Sequence, residues 1–96
     1  MSKTAAEDRH MERVAALGCV ICRRLGFGYS TAQLHHVAEG SGLRSNFAVV
    51  GLCEEHHTGA TGFHTMRKQW LKLFRIPGES EYGLLVMVNE DLAKHG

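Results

Sequence analysis

The chain has 96 residues, a formal net charge of +1, 44% hydrophobic and 22% charged residues and a single Pro. That composition excludes a disordered tail and a collagen-like repeat, and it leaves room for one small domain that needs a staple beyond its apolar core. No run approaches the roughly 18 apolar residues that cross a bilayer, and the first residues lack the apolar stretch of a signal peptide, so a soluble, cytosolic protein with no membrane partner is expected.

Thr4-Ala5-Ala6-Glu7 fits a capping box, and Met11, Val14 and Ala15 follow at helical spacing, which predicts a helix over about 4–17 ended by Gly18. Cys19-Val20-Ile21-Cys22 then forms a tight knuckle. Residues 32–38 alternate and residues 47–52 are β-branched and apolar, so a hairpin over about 32–52 is expected, with a polar, glycine-bearing loop at 39–46. Cys53 opens a short helix, about 53–58, that Gly59 and Gly62 interrupt. Phe63, Met66, Trp70, Leu73 and Phe74 recur at helical spacing with Arg67, Lys68, Lys72 and Arg75 largely opposite, predicting a helix over 63–75 whose aromatic side chains belong to the core. Pro77-Gly78 stops it. The segment 79–93 reads as a last amphipathic helix through Tyr82, Leu85, Val86 and Leu92, although 84–88 alone also fits a strand. With no internal repeat, one α+β domain over 1–96 is the expectation.

Three cysteines cannot all be paired in disulfides, and thiols at short spacing in a reducing compartment more often hold a metal. Cys19-x-x-Cys22 and Cys53-x-x-His56 are two ligand pairs of matching spacing. Together they supply the four donors of a closed tetrahedral zinc site, whose binding contributes folding free energy directly. His57 is reachable from the same helical turn, so His56 and His57 both qualify as the fourth ligand.

The chain has seven histidines, and five of them, His35, His36, His56, His57 and His64, lie within thirty residues beside Cys53. Adjacent strand residues point to opposite faces, so His35 and His36 cannot serve one centre together. Residues 9–75 carry nine Arg or Lys against four Glu, a net of +5 suited to a polyanion. A base near neutral pKa, a divalent metal and cations for the backbone are the parts that phosphodiester hydrolysis requires.

Cys19-x-x-Cys22, Leu34-His35-His36-Val37, Asn46, Leu52-Cys53-x-x-His56-His57 and His64 resemble the HNH, or ββα-metal, endonuclease superfamily. More narrowly, the chain is similar to the phage recombination-enhancement, RecA-dependent nucleases. The resemblance implies a small zinc-stapled ββα-metal core with flanking N- and C-terminal helices, and structural zinc on Cys19, Cys22, Cys53 and His56. It further implies His36 as general base, Asn46 as its brace, and His35, His57 and His64 around a catalytic ion, Mg²⁺ or Mn²⁺. The implied activity is DNA endonuclease cleavage leaving a 5′-phosphate, linked to recombination, with DNA and a RecA-type filament as partners in the host cytoplasm. Arg44, Arg67, Lys68 and Lys72 are candidates for phosphate contacts, and Arg23 and Arg24 are weaker ones. Two competing readings are a zinc-stapled nucleic-acid-binding module without catalysis and a protein-interaction domain that uses zinc only for folding. The surplus of histidines over four ligands favours the enzyme.

Overall fold

The computed structural model describes residues 3–38 and 45–95, with side chains as far as Lys94. Arg44 and most of the loop before Asn46 lie outside the described residues. The first helix, α1 (Ala5–Leu17), begins on a complete capping box: the Thr4 hydroxyl accepts from the Glu7 N–H, and Glu7 Oε1 accepts from the Thr4 N–H at 2.8 Å. Its Met11, Val14 and Leu17 lie three apart on one stripe, with Val14 and Leu17 buried. Gly18 ends it, and the knuckle continues directly into the short helix α2 (Val20–Arg24), whose N-cap is Cys19.

Strands β1 (Gln33–His36) and β2 (Val49–Leu52) pair antiparallel, with Gln33 opposite Leu52 and His36 opposite Val49. All four residues of β2 are buried, because α1, α2 and α6 all pack against it. A strand covered on both sides reads as a continuous apolar run, which is the pattern of Val49, Val50 and Leu52. Helices α3 (Glu54–His57), α4 (Phe63–Met66) and α5 (Lys68–Leu73) follow, then a 3-10 turn (Pro77–Glu79) and the long α6 (Tyr82–His95). Trp70 is fully buried on α5, and its indole N–H donates to the Thr61 carbonyl at 3.0 Å.

Two expectations need correction. The helix anticipated over 63–75 is broken at Arg67, whose φ of 38° and ψ of −103° no α-helix accommodates. The break resets the helical phase, so Leu71 is buried and Leu73 is 57% exposed, the reverse of the expected face. The last helix starts at Tyr82, and 84–88 is helical rather than extended. Its inward face holds Leu84, Met87 and Val88, while Tyr82 and Val86 are about half exposed. Gly83 explains the phase: a Cβ there would collide with the Pro77 carbonyl, so the one residue without a side chain faces the preceding turn. Among the described residues, no helix is long and apolar enough to cross a membrane.

Candidate functional site

Among the described residues, two groups of side chains converge on points where one ion fits. In the first, Cys19, Cys22, Cys53 and His56 present donor atoms within 4.8 Å of one another. His56 Nδ1 lies 3.6 Å from Cys19 Sγ, 3.6 Å from Cys22 Sγ and 3.2 Å from Cys53 Sγ, and the last two sulfurs are 3.7 Å apart. Zinc bonds of about 2.3 Å to sulfur and about 2.0–2.1 Å to nitrogen give tetrahedral edges of about 3.8 Å and 3.6 Å respectively. The donor set therefore fits zinc once the 3.2 Å contact between His56 and Cys53 opens by a few tenths of an ångström. His56, rather than His57, stands among the sulfurs. Burial, reinforced by the neighbouring thiols, pushes the Cys19 thiol up to about 12, so protons are lost when a metal binds. Burial also holds His56 below the ordinary histidine value, in the neutral form a ligand needs.

The second group is His35, His57 and His64, again within 4.8 Å of one another. His57 Nε2 and His64 Nε2 are 3.1 Å apart. Two imidazole nitrogens each about 2.0–2.1 Å from one ion stand about 2.9–3.4 Å apart at octahedral to tetrahedral angles, which brackets that distance. His57 Nδ1–H donates to Gln33 Oε1 at 2.6 Å, which leaves the Nε2 lone pair directed toward His64. Burial first, and then the like charges of His35 and His64, hold the His57 pKa below its ordinary value. An all-imidazole set suits a transition-metal ion such as Mn²⁺ or a later one better than Mg²⁺, which prefers oxygen.

The loop between α3 and α4 brings His57 and His64 together. Glu55 Oε2 accepts from both the N–H and the hydroxyl of Thr61, at 2.8 Å and 2.7 Å, and these two bonds lower its pKa. Thr65 donates to the Gly59 carbonyl at 2.8 Å. At Gly62 an added Cβ would lie 2.8 Å from the His57 carbonyl, so only glycine lets α4 start this close to the end of α3.

His36, one residue beyond His35, joins a different chain of contacts. Its Nε2 lies 2.9 Å from Asn46 Oδ1, and Asn46 Nδ2 donates to Glu7 Oε2 at 3.0 Å. An ionised carboxylate only accepts, so Glu7 fixes which end of the Asn46 amide donates. Asn46 Oδ1 must then accept, and His36 Nε2 carries the proton of this contact. The Thr4 backbone N–H, then its hydroxyl, then the Asn46 amide keep the Glu7 carboxyl below its usual range, so it remains charged for this purpose.

A cleft of about 360 Å³ joins these parts: His35, His36, His64, Arg67, Lys68 and Glu81 all line it. Arg67 also stacks over the Phe63 ring, with its guanidinium carbon 5.4 Å from the centroid. Lys72 lies elsewhere, in a shallow depression with Arg75. Arg23 and Arg24 pair with Asp91 and Glu90 of α6 at 3.7 Å and 4.0 Å. Phe63 and Trp70 are core residues, and Met66 and Phe74 pack against that core. Glu7, Gln33 and Glu81 escaped the sequence reading. Glu7 was visible there only as half of a capping box, and no motif joins Gln33 to His57 or Glu81 to His35.

The molecule is thus a small α+β protein with one buried Cys₃His group and one open cluster of histidines, each able to hold a metal. Residues 3–94 match the family described as recombination enhancement, RecA-dependent nuclease, and the chain belongs to that family. No curated protein and no solved structure matches it. The family is one of nucleases.

Proposed function

We propose that this protein is a metal-dependent DNA endonuclease of HNH type, in which β1, β2 and the α3–α4 segment form the ββα-metal unit. One observation carries the reading: His35 and His64, which cluster with His57, line the same cleft as His36, Arg67 and Lys68. Zinc on Cys19, Cys22, Cys53 and His56 holds α2 to the start of α3 and so fixes the strand pair between them.

In this reading the scissile phosphate enters the cleft with Arg67 and Lys68 against its neighbouring backbone. His35, His57 and His64 would hold a divalent ion, which would supply Lewis-acid stabilisation of the charge that develops on the phosphate oxygens. His36 takes a proton from water as the water oxygen attacks phosphorus, and the bond to the 3′ oxygen breaks; that oxygen takes a proton from solvent, giving a 3′-hydroxyl and a 5′-phosphate. Asn46 holds the imidazole ring through its Nε2. The family description supports DNA as substrate and a recombinase filament of RecA type as the partner on which cleavage depends.

The test is nicking of plasmid and single-stranded DNA, with and without RecA, in Mn²⁺ or Mg²⁺. Wild type should cleave, and His36→Ala should lose roughly 10²–10⁴-fold in rate while keeping its fold and zinc. Equal cleavage by the variant would remove His36 as the base. No cleavage by wild type under any of these conditions would leave a zinc-stapled nucleic-acid-binding module in place of an enzyme.

A further inference from the structure

Glu81 is a buried acid that the proposed mechanism does not use. The residue is 7% exposed, and its Oε2 lies 2.6 Å from His35 Nε2. A carboxylate removed from water in this way is costly unless it is held by strong hydrogen bonds. Forty-six positions separate the two residues, so the contact joins the entrance of α6 to β1. The Glu81 oxygens lie outside the set of mutually adjacent donors formed by His35, His57 and His64, although Glu81 lines the same cleft. An imidazole that spends Nε2 on a carboxylate has only Nδ1 left for an ion. His57 shows the same logic with a neutral partner, since Gln33 occupies its Nδ1 and leaves Nε2 for the centre.

Resting on the reading of the three histidines as a metal centre, we infer that Glu81 is the positioning residue of that centre. It accepts the Nε2–H of His35, fixes the tautomer and ring orientation, and turns the Nδ1 lone pair toward the ion. A carboxylate behind a ligating imidazole also raises its basicity, so His35 becomes the strongest donor of the three. The residue that leads into the final helix, which carries none of the ligands, thereby sets the affinity of the centre. Seating α6 and loading the metal become one event.

Two measurements on the zinc-loaded protein test this. The first is Mn²⁺ binding followed by the electron paramagnetic resonance signal of free Mn²⁺, because Mn²⁺ does not displace zinc from thiolates. Wild type should bind further Mn²⁺, and His57→Ala should not. Glu81→Ala should bind roughly 10–100-fold more weakly, with Glu81→Gln between them because its amide oxygen still accepts. The second is a proton–nitrogen correlation spectrum of the imidazoles without Mn²⁺, which reads the His35 tautomer and needs no variant. The His35 proton should sit on Nε2. A proton on Nδ1, or Mn²⁺ affinity unchanged in Glu81→Ala, overturns the role of Glu81. Wild type that binds no Mn²⁺ overturns the metal-centre reading itself, which is a different result from binding that Glu81 fails to influence. Zinc content and melting temperature identify a variant that has simply unfolded, and the wild-type spectrum decides the matter in that case.

Discussion

The cysteine knuckle and the histidine cleft use similar donors and differ in exposure. Cys19 is 0% exposed and Cys22 and His56 are both buried, whereas His57 is half-buried and His64 is exposed. An ion in the first would be sealed from solvent by its ligands, while an ion in the second would keep a side open to the cleft. What separates them is local periodicity. His56 and His57 are neighbours on α3, and one helical step of about 100° sends the first to the sulfurs and the second to His35 and His64. His35 and His36 are neighbours on β1, and the pleat sends one to the histidine cluster and the other to Asn46. Two adjacent pairs are thus divided between tasks by backbone geometry alone.

The comparison can be broken most severely at the knuckle. Cys53→Ser should abolish cooperative folding, since structural zinc contributes on the order of 10 kcal/mol to small domains of this kind. Circular dichroism and zinc content report the loss, and a folded, zinc-free variant would contradict the division of labour. His64→Ala, on the open side, should leave one zinc per chain and an unchanged melt while eliminating Mn²⁺ binding and DNA cleavage. His64 is itself exposed, so its removal opens no cavity in the core.

Acid should separate the two centres more gently. In the unfolded chain His57 takes a proton near the ordinary histidine value of 6.5, whereas in the fold it does so only at lower pH. Between those points the unfolded state binds more protons, so stability rises with pH through that window and falls on acidification. Thermal melts of the zinc-loaded protein without Mn²⁺ should therefore drop as pH falls through and below about 6.5. Added Mn²⁺ should raise the melting temperature mainly above that value, because an imidazolium is no ligand. A Mn²⁺-induced shift of equal size on both sides would show that the histidines do not hold the ion. The smallest effects belong to the cleft walls. Arg67→Ala and Lys68→Ala should each weaken DNA binding about equally for all sequences and reduce the salt slope by about one, as read by fluorescence anisotropy across a salt series.

Short-range chemistry was legible in the sequence. Thr4 and Glu7 announced the first helix, the paired Cys-x-x spacings announced the knuckle, and β-branched residues at 47–52 announced the second strand. The break at Arg67 was not legible, because a left-handed backbone at a residue that is neither Gly nor Asn leaves no mark in composition. The phase of α6 depended on Gly83 meeting the Pro77 carbonyl, a close approach that periodicity does not encode. The supports behind the histidines were hidden for a similar reason. Gln33 and Glu81 reach their partners across 24 and 46 positions, and single polar residues at such separations carry no pattern.

Glu7 divides its two oxygens between jobs: one closes the start of α1 and the other holds the Asn46 amide that orients His36. Proteolytic clipping just past that position would leave the zinc knuckle and the apolar interior untouched. The remaining polypeptide would lose only the cap of α1 from its fold, but the Asn46 amide beside His36 would lose the acceptor that fixes its orientation. Purity, foldedness and metal stoichiometry would then certify a sample that had gone silent, and only an intact-mass measurement would reveal why.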